Sequence, residues 1–368
     1  MERRQRNRGC PRTRYNPLGA RGAAHSGRSA PVRRVVCLGE ALIDFISAEA
    51  SPSLADVRAF VPAVGGSPAN TAVALARLGQ PVAFVGQVGD DPFGRHIAAT
   101  LARSGADVAG LKFAPDVRTA LAFVALDDVG HPDFVFFRHP GADQRFDDTS
   151  VVRSALAGAA CLHTGSIFFT DEPSRSTALL AMRSARETGV LVSYDPNVRV
   201  SVWPSRADML ATIAEACSRA DLVKLSAEDC IALAEGDALA HARALLELGP
   251  ALVVVTRGER GCVAVTQRGE LELPGYAVDV VDTTGAGDAF TGGLLSALLA
   301  TGLASRLSSI GTAELRPSLQ VASAVGALTT TRRGAIPALP TRDEVVEFLR
   351  SRGDSEAAAI AARIGGNG

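Results

Sequence analysis

The chain contains almost no lysine. Lys112 and Lys224 are the only two, and every other basic side chain is arginine. Together with abundant alanine, glycine and arginine, this reflects a GC-rich genome and carries no functional signal. The pattern GxxxxGK[ST] is absent, which excludes a P-loop mechanism. No GxGxxG follows the first strand-like run, which argues against a dehydrogenase. Cys10, Cys37, Cys161, Cys217, Cys230 and Cys262 are scattered, with no CxxC or Cys–His cluster. That predicts buried, reduced thiols in a cytosolic protein, not a disulfide frame or a zinc site. The 6 histidines contain no HExxH. No apolar run approaches the roughly 20 residues of a membrane span. A net charge of −1 implies no polyanionic partner for the chain as a whole.

What is present is apolar content, 47% of 368 residues. That is enough core for one large α/β domain or two small ones. The N-terminus is different. Between residues 1 and 34, ten arginines accompany one acid, Glu2. Residues 1–32 are therefore expected to form a disordered basic extension. It has no apolar h-region, which argues against secretion and for a cytoplasmic protein, or an organellar one if the segment is a transit peptide. A nucleic-acid-binding arm is a further reading. Composition favours a misassigned start codon or an idle tail, so no nucleic-acid partner is expected.

From Val35 the pattern alternates between strand and helix. Strand-like runs are Val35–Leu38, Val82–Val88, Cys161–His163, Leu191–Tyr194, Leu222–Lys224, Leu252–Thr256 and Val263–Thr266. Helical spacing covers Pro68–Leu78, Ser176–Thr188, Ala207–Arg219 and Ala238–Leu248. This predicts an α/β fold: a doubly wound, mainly parallel sheet with helices on both faces. Ligands in such folds lie beyond the carboxyl ends of the strands, where Asp44, Asp195 and the turn at Asp282 are placed. Thr119–Leu126 and Asp133–Arg138 alternate and are joined by Asp127–His131, a hairpin signal. Together with short strands in 45–64 it would make a small β lid on a domain spanning 33–350. Residues 301–319 read as an irregular insertion and 351–368 as a flexible tail.

The richest stretch is Val281-Asp282-Thr283-Thr284-Gly285-Ala286-Gly287-Asp288-Ala289-Phe290. A strand-like run, Tyr276–Val281, enters it and a helical run, Ala289–Ala300, leaves it. Backbone amides and the positive end of a helix at such a junction suit an anion such as a phosphoryl group. Asp288 stands beside that spot as a base. By itself the stretch is also compatible with a tight turn capped by Asp288.

A second stretch is Val64-Gly65-Gly66-Ser67-Pro68-Ala69-Asn70-Thr71-Ala72-Val73-Ala74-Leu75-Ala76-Arg77-Leu78-Gly79. The pair resembles the two signatures of the PfkB (ribokinase-like) carbohydrate kinases, from about Val35 to about Glu344. The local wording, including Gly39-Glu40-Ala41-Leu42-Ile43-Asp44 and Arg333-Gly334-Ala335-Ile336-Pro337, is nearest to bacterial fructokinases.

The resemblance implies Asp288 as catalytic base and Gly285, Ala286 and Gly287 as the hole for the transferring phosphate. It implies a sugar cradle of Gly65, Gly66, Asn70 and Asp44, with Arg138 and Arg199 either touching the sugar or bracing the lid. Thr256, Gly258, Gly261, Gly287 and Ser323 would meet the nucleotide. Ser323 stands where many relatives carry Asn or His, which puts its adenine contact in question. Asp282, with carbonyls of Thr284, Thr329, Arg332 and Gly334, either holds a monovalent cation or fixes the turn. Either Glu228 or Asp229 would act on Mg²⁺ through water. The implied cofactors are ATP and Mg²⁺, with K⁺ open, and the partners a sugar, ATP and a second copy through the lid. The implied activity is transfer of the γ-phosphoryl of ATP to the terminal hydroxyl of D-fructose. The rivals are 2-keto-3-deoxygluconate kinase, ribokinase, and a catalytically silent regulatory homologue.

Overall fold

The computed structural model describes residues 34–49, 51, 53–126, 132–234 and 237–366. The basic extension 1–32 and the turn Asp127–His131 lie outside the described residues.

Nine strands form the main sheet: β1 (Val35–Leu38), β4 (Val82–Gly89), β5 (Asp107–Ala114), β8 (Cys161–Gly165), β9 (Leu191–Asp195), β10 (Leu222–Ser226), β11 (Leu252–Thr256), β12 (Cys262–Thr266) and β13 (Gly269–Leu273). Their order is β13-β12-β11-β10-β9-β8-β1-β4-β5. All neighbours are parallel except β11–β12 and β12–β13. Runs such as Leu252–Val255 are buried on both faces, as continuous apolar strands in a covered parallel sheet must be. β5, an edge strand in which six of eight residues are exposed or half-exposed, does not read as a strand from the sequence.

Six helices share the core on one face: α1 (Ser67–Arg77), α2 (Pro92–Arg103), α8 (Ala286–Ala300), α9 (Thr312–Thr330), α11 (Arg342–Ser351) and α12 (Ser355–Arg363). On the other face lie α3 (Thr149–Leu156), α4 (Ser174–Glu187), α5 (Arg206–Ser218), α6 (Ala227–Leu233) and α7 (Ala238–Leu246). The short α10 (Ala335–Ala338) follows α9. Local signals set several starts. Asp91 caps α2 by accepting from the Gly94 amide at 2.9 Å, with Pro92 at the first helical position.

A second, four-stranded sheet has the order β3-β2-β6-β7, built from β2 (Leu42–Ser47), β3 (Phe60–Gly65), β6 (Leu121–Leu126) and β7 (Pro132–Phe137). Only three residues, Gly39–Ala41, separate β2 from the end of β1 in the main sheet, so the small sheet springs from the carboxyl edge where ligands bind.

Three expectations fail. Tyr276–Val281 is not a strand: the Val281 and Asp282 amides both donate to Thr330 O, at 2.8 and 3.1 Å, leaving the segment off the sheet. Residues 351–368 are not a flexible tail in their described part. Helix α12 buries Ala357, Ala358, Ile360, Ala361 and Ile364 in the core, because small apolar residues recur there at helical spacing. The stretch 301–319 is irregular only at its start: α9 begins at Thr312 and carries Pro317 inside it.

Candidate active site

Two helix N-termini converge. Gly66 (φ +102°) turns the chain from β3 into α1, and Gly285 (φ +77°) turns it into α8. Both conformations favour glycine. The helices pack closely, since a Cβ on Gly292 of α8 would stand 2.8 Å from the Ala74 Cβ of α1. The contact sets Asp288, on the first turn of α8, against Ser67 and Asn70, on the first turn of α1. Asp288 Oδ1 accepts from the Ser67 hydroxyl at 2.7 Å, and Oδ2 from Asn70 Nδ2 at 2.9 Å. Burial, aided by Asp195, raises the Asp288 carboxyl to about 6 against the hydrogen bonds of Ser67 and Asn70 and the charge of Lys224.

Gly287 borders a cation. A Cβ there would lie 2.8 Å from Lys224 Nζ. That ammonium donates to Asp195 Oδ2 at 3.0 Å. Burial works against the lysine's charge, but Asp195, Asp229 and Asp288 outweigh it and hold the group above its ordinary value. The Ala286 amide closes the turn on Thr283 O at 3.2 Å, so of the expected anion hole the Gly285 and Gly287 amides remain, beside a fixed positive charge and a carboxylate, which is what a phosphoryl group in transfer needs.

Asp44 lies across Gly65: a Cβ on Gly65 would fall 1.9 Å from Asp44 Oδ2. Burial, with a contribution from Asp288, lifts the Asp44 carboxyl to about 7 against the pull of Arg199. The Asn70 Oδ1 is buried without a hydrogen-bond partner. A polar group in that state suits a hydroxyl donor. Arg199 is half-buried, donates to Val198 O at 3.0 Å, and stacks over Phe134 of β7 at 5.4 Å.

Arg138 does not join them. Its side chain is 1% exposed, and its guanidinium is spent on Asp143 Oδ2 (2.7 Å), Thr170 Oγ1 (2.8 Å) and Ile167 O (2.8 Å). A sugar contact is thereby overturned; it braces the foot of the hairpin. The two acids opening α6 also separate. Asp229 is buried and accepts from the Ser226 amide (2.8 Å) and the Val198 amide (2.7 Å), whereas Glu228 is exposed.

Asp282 joins two segments. Oδ1 accepts from the Thr284 amide at 2.9 Å and hydroxyl at 2.6 Å, and Oδ2 from the Gly334 amide at 2.7 Å. Burial would raise its carboxyl, but these bonds and Arg333 hold it below the usual value. Asp282 thus fixes the turn, and it brings Thr284 beside the 329–334 segment. Thr256 ends β11, and Arg257 N closes the following loop on Gly261 O at 2.7 Å. Ser323 of α9 reaches that loop's base, 4.0 Å from Cys262 Sγ.

Sequence reasoning missed Ser67 and Lys224 as site members. Lys224 carried a signal: a lone lysine inside the apolar run Leu222–Leu225 must find a buried partner.

The model of the pfkB family carbohydrate kinases matches residues 32–342. The chain belongs to the pfkB family of carbohydrate kinases. It is 43% identical to the probable fructokinase-7 of Arabidopsis thaliana over 322 residues, 86% of this chain and 92% of that one. Fructokinase with bound ATP from Xylella fastidiosa superimposes with a TM-score of 0.79 at 35% identity, over 88% of this chain and 99% of that one. A fructokinase double mutant from Vibrio cholerae O395, in a fructose, ADP and potassium ion bound form, gives a TM-score of 0.73 at 34% identity, over 88% and 100% of the two chains. This carbohydrate kinase accordingly has the ribokinase-like fold, with Asp288 held between α1 and α8 and facing Asp44 of the small sheet.

Proposed function

We propose that the protein transfers the γ-phosphoryl of ATP to the terminal hydroxyl of D-fructose, yielding fructose 6-phosphate and ADP. The observation that carries this is Asp288, held by Ser67 and Asn70 between the Gly287–Lys224 pocket and the Asp44–Gly65 cradle. The sugar lies on Gly65 and Gly66, with adjacent hydroxyls on Asp44 and Asn70 Oδ1. Asp288 takes the proton of the acceptor hydroxyl as its oxygen bonds to phosphorus and the bond to the ADP oxygen breaks. The Gly285 and Gly287 amides and Lys224 hold the charge on the phosphoryl oxygens. ATP lies along the Thr256–Gly261 loop, with Ser323 beneath. Closure of the small sheet excludes water, the competing acceptor.

Among the described residues no three His, Cys, Asp or Glu side chains group as a metal site. That suits Mg²⁺, which keeps its waters and rides on nucleotide phosphates, with exposed Glu228 reaching it through water. The carbonyls of Thr284, Thr329, Arg332 and Gly334 offer the oxygen-only set that a K⁺ ion takes. Exposed Val61, Val135 and Phe137 on the small sheet supply apolar surface for a second copy.

The relatives' fructokinase names support fructose, and the burial of Arg138 disfavours a sugar acid by removing one of two candidate carboxylate ligands. A coupled assay across fructose, ribose and 2-keto-3-deoxygluconate, with the phosphate position determined, tests the reading. Fructose is expected to turn over fastest; fructose slowest overturns the choice.

A further inference from the structure

Ser67 is tied at both ends. Its amide donates to Glu40 Oε1 at 3.2 Å, and its hydroxyl donates to Asp288 Oδ1 at 2.7 Å. It is the first residue of α1, so its backbone direction is fixed by the helix and by Gly66 before it. Glu40 is fully buried, and its second oxygen has no hydrogen-bond partner. Behind it, the buried Arg138–Asp143 pair at the foot of β7 lies within electrostatic reach. Hydrogen bonds therefore run from Glu40 through Ser67 to the carboxylate, with the charged pair at the hairpin's foot acting on Glu40 through its field.

We propose that Ser67 is a positioning residue for Asp288, fixing the carboxylate's orientation and keeping it ionised so that its remaining lone pairs receive the acceptor's proton. The proposal rests on the reading of Asp288 as the base. The charged groups facing Asp288 come from three strands. Asp195 of β9 and Asp44 of β2 disfavour its ionisation, while Lys224 of β10 favours it. Burial opposes ionisation most strongly, and the Ser67 hydroxyl is the largest opposing influence, ahead of Asn70 and Lys224. Removing one hydroxyl should therefore raise the pH at which the base becomes available. Nothing in the sugar cradle of Gly65, Asp44 and Asn70 Oδ1 requires that hydroxyl.

The test compares kcat and KM for fructose between pH 5 and 9 in the wild type, Ser67→Ala and Asp288→Asn, with melting curves for each. Ser67→Ala is expected to stay folded, melting a few degrees lower at pH 8 because a buried carboxylate oxygen loses its donor, and to keep its KM. Its acid limb should move up by about one pH unit, so that turnover at pH 6 falls about fivefold and recovers at pH 8. An unmoved limb, with Asp288→Asn inactive, overturns the role of Ser67 and leaves the base assignment standing. A fall in kcat of equal size at every pH also overturns it as stated, because the hydroxyl would then set orientation without keeping the carboxylate ionised. Full activity in Asp288→Asn overturns the base assignment itself, and this inference with it.

Discussion

Lys224 Nζ sits 3.0 Å from Asp195 Oδ2 and 2.8 Å from the point where a Cβ on Gly287 would be. Gly287 has ordinary helical backbone, so glycine is required there by what a side chain would strike. A methyl group there would meet the ammonium that faces the anion pocket. The residue that lets phosphate approach also lets a cation approach.

Lys224→Met should lower kcat by about 10²–10³-fold, the loss typical of one preorganised charge-stabilising donor. KM for the sugar should hardly move. Because the substitution also leaves Asp195 unpaired, Gly287→Ala serves as a second variant. It keeps the ion pair but displaces the ammonium, and should show a comparable loss in steady-state kinetics.

Gly65→Ala should act on sugar binding. Its methyl would fall 1.9 Å from Asp44 Oδ2, so the carboxylate must leave its place. Losing a hydrogen bond to a charged group weakens binding by about tenfold to a hundredfold. KM for fructose should rise by that factor while KM for ATP stays unchanged.

Glu40 makes stability fall with rising pH. Burial, its largest influence, raises its carboxyl to about 8, although the Ser67 amide and Arg138 pull the other way. In the unfolded chain it titrates near about 4.3. Between those values the folded state binds the extra proton, so stability drops as pH rises through the window and levels off above it. Glu40→Gln should therefore melt higher than the wild type at pH 8.5, with the gap closing at pH 5. A gap independent of pH would refute the assignment.

Ending the chain at Gly353 should destabilise it. Ile360 and Ile364 alone account for about 3–6 kcal/mol of apolar burial. Asp354 accepts from the Tyr276 hydroxyl and from Gln320 Nε2 at 2.6 Å, bonds that tie the 274–281 segment to the C-terminus. Calorimetry should show Tm lowered by at least about 5 °C.

The strands carrying Val and Leu runs were legible because a covered parallel sheet demands them, and α1 and α8 because their glycine turns and helical spacing coincide. Arg138 misled because arginines are usually exposed; only the fold supplies Asp143, Thr170 and Ile167 to absorb its charge. Tyr276–Val281 has the alternation of a strand, but it follows the edge strand β13 and its last amide pairs with a helix terminus instead. Helix α12 was hidden behind glycines and charges, since alanine gives a weak apolar signal. Ser67 was written in the motif, yet a hydroxyl's partner cannot be read from one chain segment.

Asp44 hangs from the small sheet, whereas Asp288 opens helix α8, which packs on the main one. A ligand spanning both carboxylates acts as a clasp between two layers joined by the short Gly39–Ala41 strap. The acceptor would add a second fastening to layers that Arg199 over Phe134 and Phe45 against Phe93 already hold together.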